Sequence, residues 1–222
     1  LPSKADVGRV ALVVFSPHSS LCGALNANII RRCNDLIRQL SERGYSHEDI
    51  DVYAVGRKVA EAASKAGFVL AGDYSDMADK PSYDHASELA TELIDSFSEG
   101  EVEQVVFLYN HFASTSSQPA VQENYLPLAL HDYGTGSGPV DYILEPDPLS
   151  LVKELLPKVL FLKMYTVVLD ANAAEHAART VAMQIASDNA QDLISELTLA
   201  YNKGRQQEIT AEILDLVGGT MS

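Results

Sequence analysis

His18, Cys22 and His111 are the residues whose types could do covalent chemistry in this chain. A thiolate beside an imidazole base is a nucleophile, and in an open α/β sheet such groups belong beyond the carboxyl ends of strands. All three follow strand-like apolar runs. The same residues also have plain readings. Ser16-Pro17-His18-Ser19-Ser20 is an ordinary turn after a strand, and Cys22 is a small apolar group of the kind usually buried. One histidine after each of two strands fixes no geometry. A free-standing α/β enzyme or ligand-binding domain using Cys22 with His18 or His111 is therefore one reading to be tested. Neither paired Cys-x-x-Cys nor His-x-x-x-His spacing occurs, so no metal site is expected. Gly134, Gly136 and Gly138 follow no strand and run into Pro139, so they cannot open a phosphate-cradling helix. No cofactor or direct nucleotide binding is expected.

The elements that would position these residues alternate. Val10 to Phe15 is a continuous apolar run of strand length. A helix follows, with Leu25, Ile29, Leu36 and Leu40 on one face, closing near Gly44. Ile50 to Val55 reads as a second strand, Arg57 to Lys65 as a helix and Phe68 to Ala71 as a short third strand. Asp84 to Phe97 reads as a helix, Val102 to Tyr109 as a fourth strand, and Val121 to Leu128 as a fifth at an antiparallel edge. Tyr133 to Val140 reads as a loop. Alternation of this kind implies an α/β sheet with helices on both faces. Cys22 and Cys33 lie on one helical pattern about 16 Å apart, which argues against a disulfide between them.

The remainder of the chain is different in kind. From Lys158 to Val217 there is no proline and one glycine, Gly204. Such a helix would reach roughly 90 Å, against a radius of gyration of about 15 Å for the residues before it, so more than half should protrude. Ala178, Val181 and Ile185, then Leu193, Leu197, Ala200 and Gly204, recur in steps of three and four, the seam of a coiled coil. Asp188, Asp192, Glu196, Glu208 and Glu212 exclude a membrane span. Pro148 suits the first position of the helix. Pro157 would either kink a continuous helix or separate a short one from a long one. The expected division is 1–147 for the α/β body and 148–222 for the long helix. With 222 residues, 46% of them hydrophobic, the body can bury one sizeable core. The net charge of −15 argues against nucleic-acid partners.

The residues on the long helix are also distinctive. Ser187-Asp188-Asn189, Leu193-Ile194, Glu196-Leu197, Tyr201-Asn202-Lys203-Gly204-Arg205-Gln206 and Ile209-Thr210 resemble the C-terminal helix of the gamma subunits of F-type rotary ATP synthases. Leu21-Cys22-Gly23-Ala24-Leu25-Asn26 and Glu145-Pro146-Asp147-Pro148 resemble two further blocks of that family, in its order and spacing. The resemblance implies a Rossmann-like body that binds no nucleotide and a helix belonging to an antiparallel coiled coil. It implies a non-catalytic central-stalk rotor subunit, coupling rotation of the membrane ring to conformational cycling of catalytic sites on other subunits.

Family members begin with a second long helix, whereas this chain starts almost directly on the first strand. The N-terminal helix of the full-length protein is then an expected partner, with the alpha and beta subunits of the catalytic ring, the epsilon subunit and the membrane rotor ring. Arg205, Gln206, Thr210 and Glu212 match positions that meet the catalytic beta subunits; Tyr142 and Glu145 match positions near the rotor ring or the epsilon subunit. Arg179 and Met183 match the lower shaft, where Gln184 replaces a common lysine. The resemblance places the chain peripherally on the cytoplasmic face of a bacterial inner membrane, or on the matrix face in mitochondria.

Overall fold

The computed structural model describes residues 8–128, 145 and 147–219. The proposed loop at Tyr133–Val140 and the residue Tyr142 lie outside them. The described residues include five strands: β1 (Arg9–Phe15), β2 (Ile50–Val55), β3 (Leu70–Asp73), β4 (Val102–Asn110) and β5 (Ala120–Leu126). They form one sheet in the order β3-β2-β1-β4-β5. All neighbours pair in parallel except β4 and β5, which are antiparallel at the edge. The helices are α1 (Leu25–Glu42), α2 (Arg57–Lys65), α3 (Ser75–Asp79), α4 (Tyr83–Ser98) and α5 (Pro148–Gly219).

Strand β1 is central, so both of its faces are covered, which is why it reads as an unbroken apolar run. Val10, Leu12 and Val14 pack with Ile29, Cys33, Leu36, Leu40 and Val59 from α1 and α2. Ala11, Val13 and Phe15 face the other way, toward Leu89 and Leu93 of α4. On that second side Leu160, Met164, Val167 and Val168 of α5 complete the core, and Tyr125 of β5 donates its hydroxyl to the Leu160 carbonyl at 3.1 Å. Burial pushes the Tyr125 phenol well above its ordinary value.

By packing, the first compact unit runs to Thr180 and the second begins at Val181. The start of α5 belongs to the first unit because Leu160, Met164, Val167 and Val168 share its core. α5 runs through Pro157 without interruption. The Lys153 carbonyl thus loses its partner four residues on, and Lys153 is exposed, where water can serve it. Strand β3 begins two residues later than expected, because Phe68 turns aside to stack on His47 with ring centroids 3.7 Å apart. Just past the paired carboxyl ends of β1 and β2, Gly56 has φ +115°, and a Cβ there would collide with the Ser16 carbonyl; only glycine fits.

Candidate functional site

The carboxyl ends of β1, β2 and β4 form the crevice where ligands bind in open α/β folds. Here it is filled from above by α5. Val168, Ala171, Asn172 and Glu175 close over Phe15, Ser16 and Asn110, leaving a cavity of about 10 Å³. That is room for one water molecule; ligand pockets span roughly 300–1,000 Å³.

The three residues with nucleophilic potential are not brought together. Cys22 is 1% exposed, and its Sγ lies 3.8 Å from the Ser19 carbonyl and accepts from Asn26 Nδ2 at 3.3 Å. Burial raises its thiol above the ordinary value, outweighing the hydrogen bond that lowers it, so the thiolate is disfavoured. His18 places Nδ1 3.2 Å from the Ser75 carbonyl. His111 donates Nδ1–H to Asp170 Oδ2 at 2.6 Å. Each imidazole has its own partner elsewhere, and the reading of Cys22 with His18 or His111 as a catalytic pair is corrected accordingly. Both cysteines are free, and burial takes the Cys33 thiol up to about 12. Leu21, with φ +73°, holds a left-handed conformation costly for a side chain with a Cβ, at the turn that carries Ser19 and Cys22.

The start of α5 holds a feature that sequence reading passed over in favour of Glu145, which is exposed. Asp147 caps the helix: its Oδ1 accepts from the Leu149 and Ser150 amides, both at 3.0 Å, and its Oδ2 from the Ser150 hydroxyl at 2.5 Å. The Ser150 hydroxyl above all, with the Ser150 amide, holds this carboxyl below the usual carboxylate range. The signal was in the sequence, an aspartate before proline with serine three residues on.

The second unit offers surface instead of a pocket. Among the seam residues, Ile185, Leu193 and Leu197 are 55%, 56% and 59% exposed, Ala200 is exposed, and Ala178 and Val181 are half-buried. Ile194, Leu199, Tyr201, Ile213 and Leu216 are exposed too. At about 100° per residue these side chains do not share one stripe. They point around much of the circumference, the pattern of a helix made to be covered on several sides. Arg205, Gln206, Thr210 and Glu212 are exposed. Arg205 and Glu212, two turns apart, share one face; Gln206 and Thr210, one turn apart, share the next. Thr210 donates its hydroxyl to the Gln206 carbonyl at 2.7 Å, leaving its oxygen free to accept. Lower on α5, Met183 is exposed and Gln184 donates to Asp188 at 2.9 Å.

Comparison with known proteins agrees with both units. The family profile described as ATP synthase matches residues 1–222. The chain is 51% identical to the ATP synthase gamma chain of Phocaeicola vulgatus, over 99% of this chain and 76% of that one. The chain belongs to the ATP synthase gamma-chain family. The gamma chain of Bacteroides fragilis is 48% identical, with 97% of this chain and 75% of that one covered. The gamma-chain fold extends to a chain of the Euglena gracilis mitochondrial ATP synthase. That chain is 21% identical, with a TM-score of 0.61, over 96% of this chain and 72% of its own length. A chain of the Tetrahymena thermophila central stalk gives 24% and 0.57, over 83% and 79%. Among the described residues no helix is long and apolar enough to cross a membrane.

Proposed function

We propose that this chain is the central-stalk rotor subunit of a proton-translocating ATP synthase, coupling rotation of a membrane ring to conformational cycling of catalytic sites on other subunits. One observation carries the reading: in a gamma-family chain, α5 beyond Val181 exposes large apolar side chains on several faces. An enzyme domain has no use for such a surface, whereas a shaft with a helix along one side and a ring of subunits around it does. The seam Ala178, Val181, Ile185, Leu193, Leu197 and Ala200 takes the partner helix. Arg205 and Glu212, with Gln206 and Thr210, meet the catalytic beta subunits, where the guanidinium can fork onto a carboxylate. Glu145 lies at the foot, toward the rotor ring or the epsilon subunit, and Tyr142 is assigned there by family resemblance alone. The chain supplies no catalytic group of its own, binds no nucleotide, and sits peripherally on the cytoplasmic face of the membrane.

The test is the Arg205→Ala, Gln206→Ala double variant of the full-length protein, assembled at matched subunit content. Alanine is favourable on an exposed helix, so the fold should persist. Loss of charge-assisted contacts should depress ATP hydrolysis and proton pumping by about tenfold. Unchanged rates in both assays would remove these side chains from the coupling surface.

A further inference from the structure

Apolar packing holds a helix against a sheet without fixing how far the helix is rolled about its own axis, because burial is non-directional. Hydrogen bonds are directional. The lower part of α5 carries both, in a definite arrangement. Its buried residues Leu160, Met164, Val167 and Ala174 form one stripe. At about 100° per residue, Lys163 and Asp170 lie on one flank of that stripe, and Asn172, Glu175 and Arg179 on the other.

Every one of these five polar side chains is engaged. On the first flank Lys163 Nζ is 2.6 Å from Glu123 Oε1 of β5. Asp170 takes His111 Nδ1–H through Oδ2 at 2.6 Å and the Phe112 amide through Oδ1 at 2.9 Å, both in the turn after β4. On the second flank Asn172 Nδ2 donates to the Ala78 carbonyl of α3 at 3.0 Å. Arg179 Nη2 donates to Ser19 Oγ in the turn after β1 at 2.6 Å and pairs with Glu175, itself 6% exposed.

We propose that Lys163, Asp170, Asn172 and Arg179, the last held in place by Glu175 of the same helix, form a polar collar that fixes the roll angle of α5 against the body, acting as positioning residues for torque transfer. The proposal rests on the rotor reading above. Ties on one flank would let the helix pivot about them. Ties on both flanks, made to elements that follow β1, β3 and β4 and to β5 itself, oppose rotation in either sense. They end at Arg179, just where the first compact unit ends.

The experiment uses the full-length gamma chain in the assembled synthase, with three variants: Asp170→Ala, Asn172→Ala with Arg179→Ala, and Arg179→Lys. Amide exchange at Phe112 reports the first flank directly and should accelerate about tenfold in Asp170→Ala, the factor for one charge-assisted hydrogen bond. The decisive readout is protons pumped per ATP hydrolysed, which a smaller amount of folded enzyme does not change. That ratio should fall in Asp170→Ala and in the Asn172→Ala, Arg179→Ala pair, while ATP hydrolysis by the detached catalytic part stays at its wild-type value. Arg179→Lys, which keeps a charged donor for Glu175, should restore part of the ratio. An unchanged ratio overturns the proposal, as does a parallel fall of pumping, hydrolysis and subunit content, or an unaltered Phe112 exchange rate. If the wild-type chain itself fails to assemble with catalytic and ring subunits, the rotor reading fails first, and the collar's purpose with it.

Discussion

Met164 and Leu197 are apolar residues on the same helix with opposite fates: the first is fully buried and the second is 59% exposed. Below Thr180, α5 is part of a domain core, capped by Asp147, covered by α4 and the sheet, and tied by polar contacts to four elements. Beyond Val181 every large apolar side chain among the described residues is exposed. One continuous helix thus has two sources of order. Its lower part is specified by this chain, and its upper part by whatever lies against it, since an isolated helical segment in water is only marginally stable.

The largest expected contrast is in amide exchange. In the monomeric chain, amides from Ala190 to Leu214 should exchange about a thousandfold faster than those from Leu160 to Ala174, because only the latter open with the body. Slow exchange throughout α5 in a strict monomer would break the comparison. Side-chain truncation comes next. Met164→Ala should cost about 2–5 kcal/mol in denaturant unfolding, and Leu197→Ala no more than about 0.5 kcal/mol; similar losses would mean that the two segments share one core.

Alkaline pH should separate the parts further. Cys33 ionises at its ordinary value of 9.0 when unfolded and at about 12 in the body. Its folded value is the higher one, so its contribution is complete below pH 9 and is lost as pH climbs toward 12. At pH 11 the loss is about 3 kcal/mol, and Cys33→Ala should flatten that part of the stability profile. Tyr109, raised to about 12 by burial, leaves a residual slope. The smallest effect belongs to the cap. The Asp147 carboxyl is held below 3.8, so its contribution is present above that pH and is lost as pH falls through the folded value. Asp147→Ala should speed exchange of the Leu149 and Ser150 amides at neutral pH and leave the upper helix untouched.

Much of this arrangement was legible in the sequence because it rests on local periodicity. The apolar runs at β1, β2 and β4 and the helical stripe Leu25, Ile29, Leu36 and Leu40 need no distant information, and the antiparallel edge at β5 followed from the same reading. Periodicity tells which face of a helix is apolar, but not what covers it. Leu160, Met164 and Val167 therefore looked like more shaft, when they are the fourth wall of the body's core. The helix α3 is five residues long, with Met77 its one buried residue, too short for any repeat to show. The polar ties joining His111 to Asp170 and Ser19 to Arg179 connect residues far apart in sequence, and no spacing rule announces them. Cys22 and its two histidines failed as a site for the complementary reason: residue types can be read from a sequence, whereas the 10 Å³ left beneath α5 cannot.

Gly204 sits in the exposed part of α5, and a Cβ added there meets nothing within 4 Å. For this chain alone alanine would be the better residue by about 1 kcal/mol, so the fold supplies no reason for glycine at that point. Position 204 is consequently a gauge built into the shaft. Gly204→Ala should stiffen the free helix, and any penalty it imposes on the assembled machine measures, to within one methyl group, how close a neighbour comes to the bare backbone.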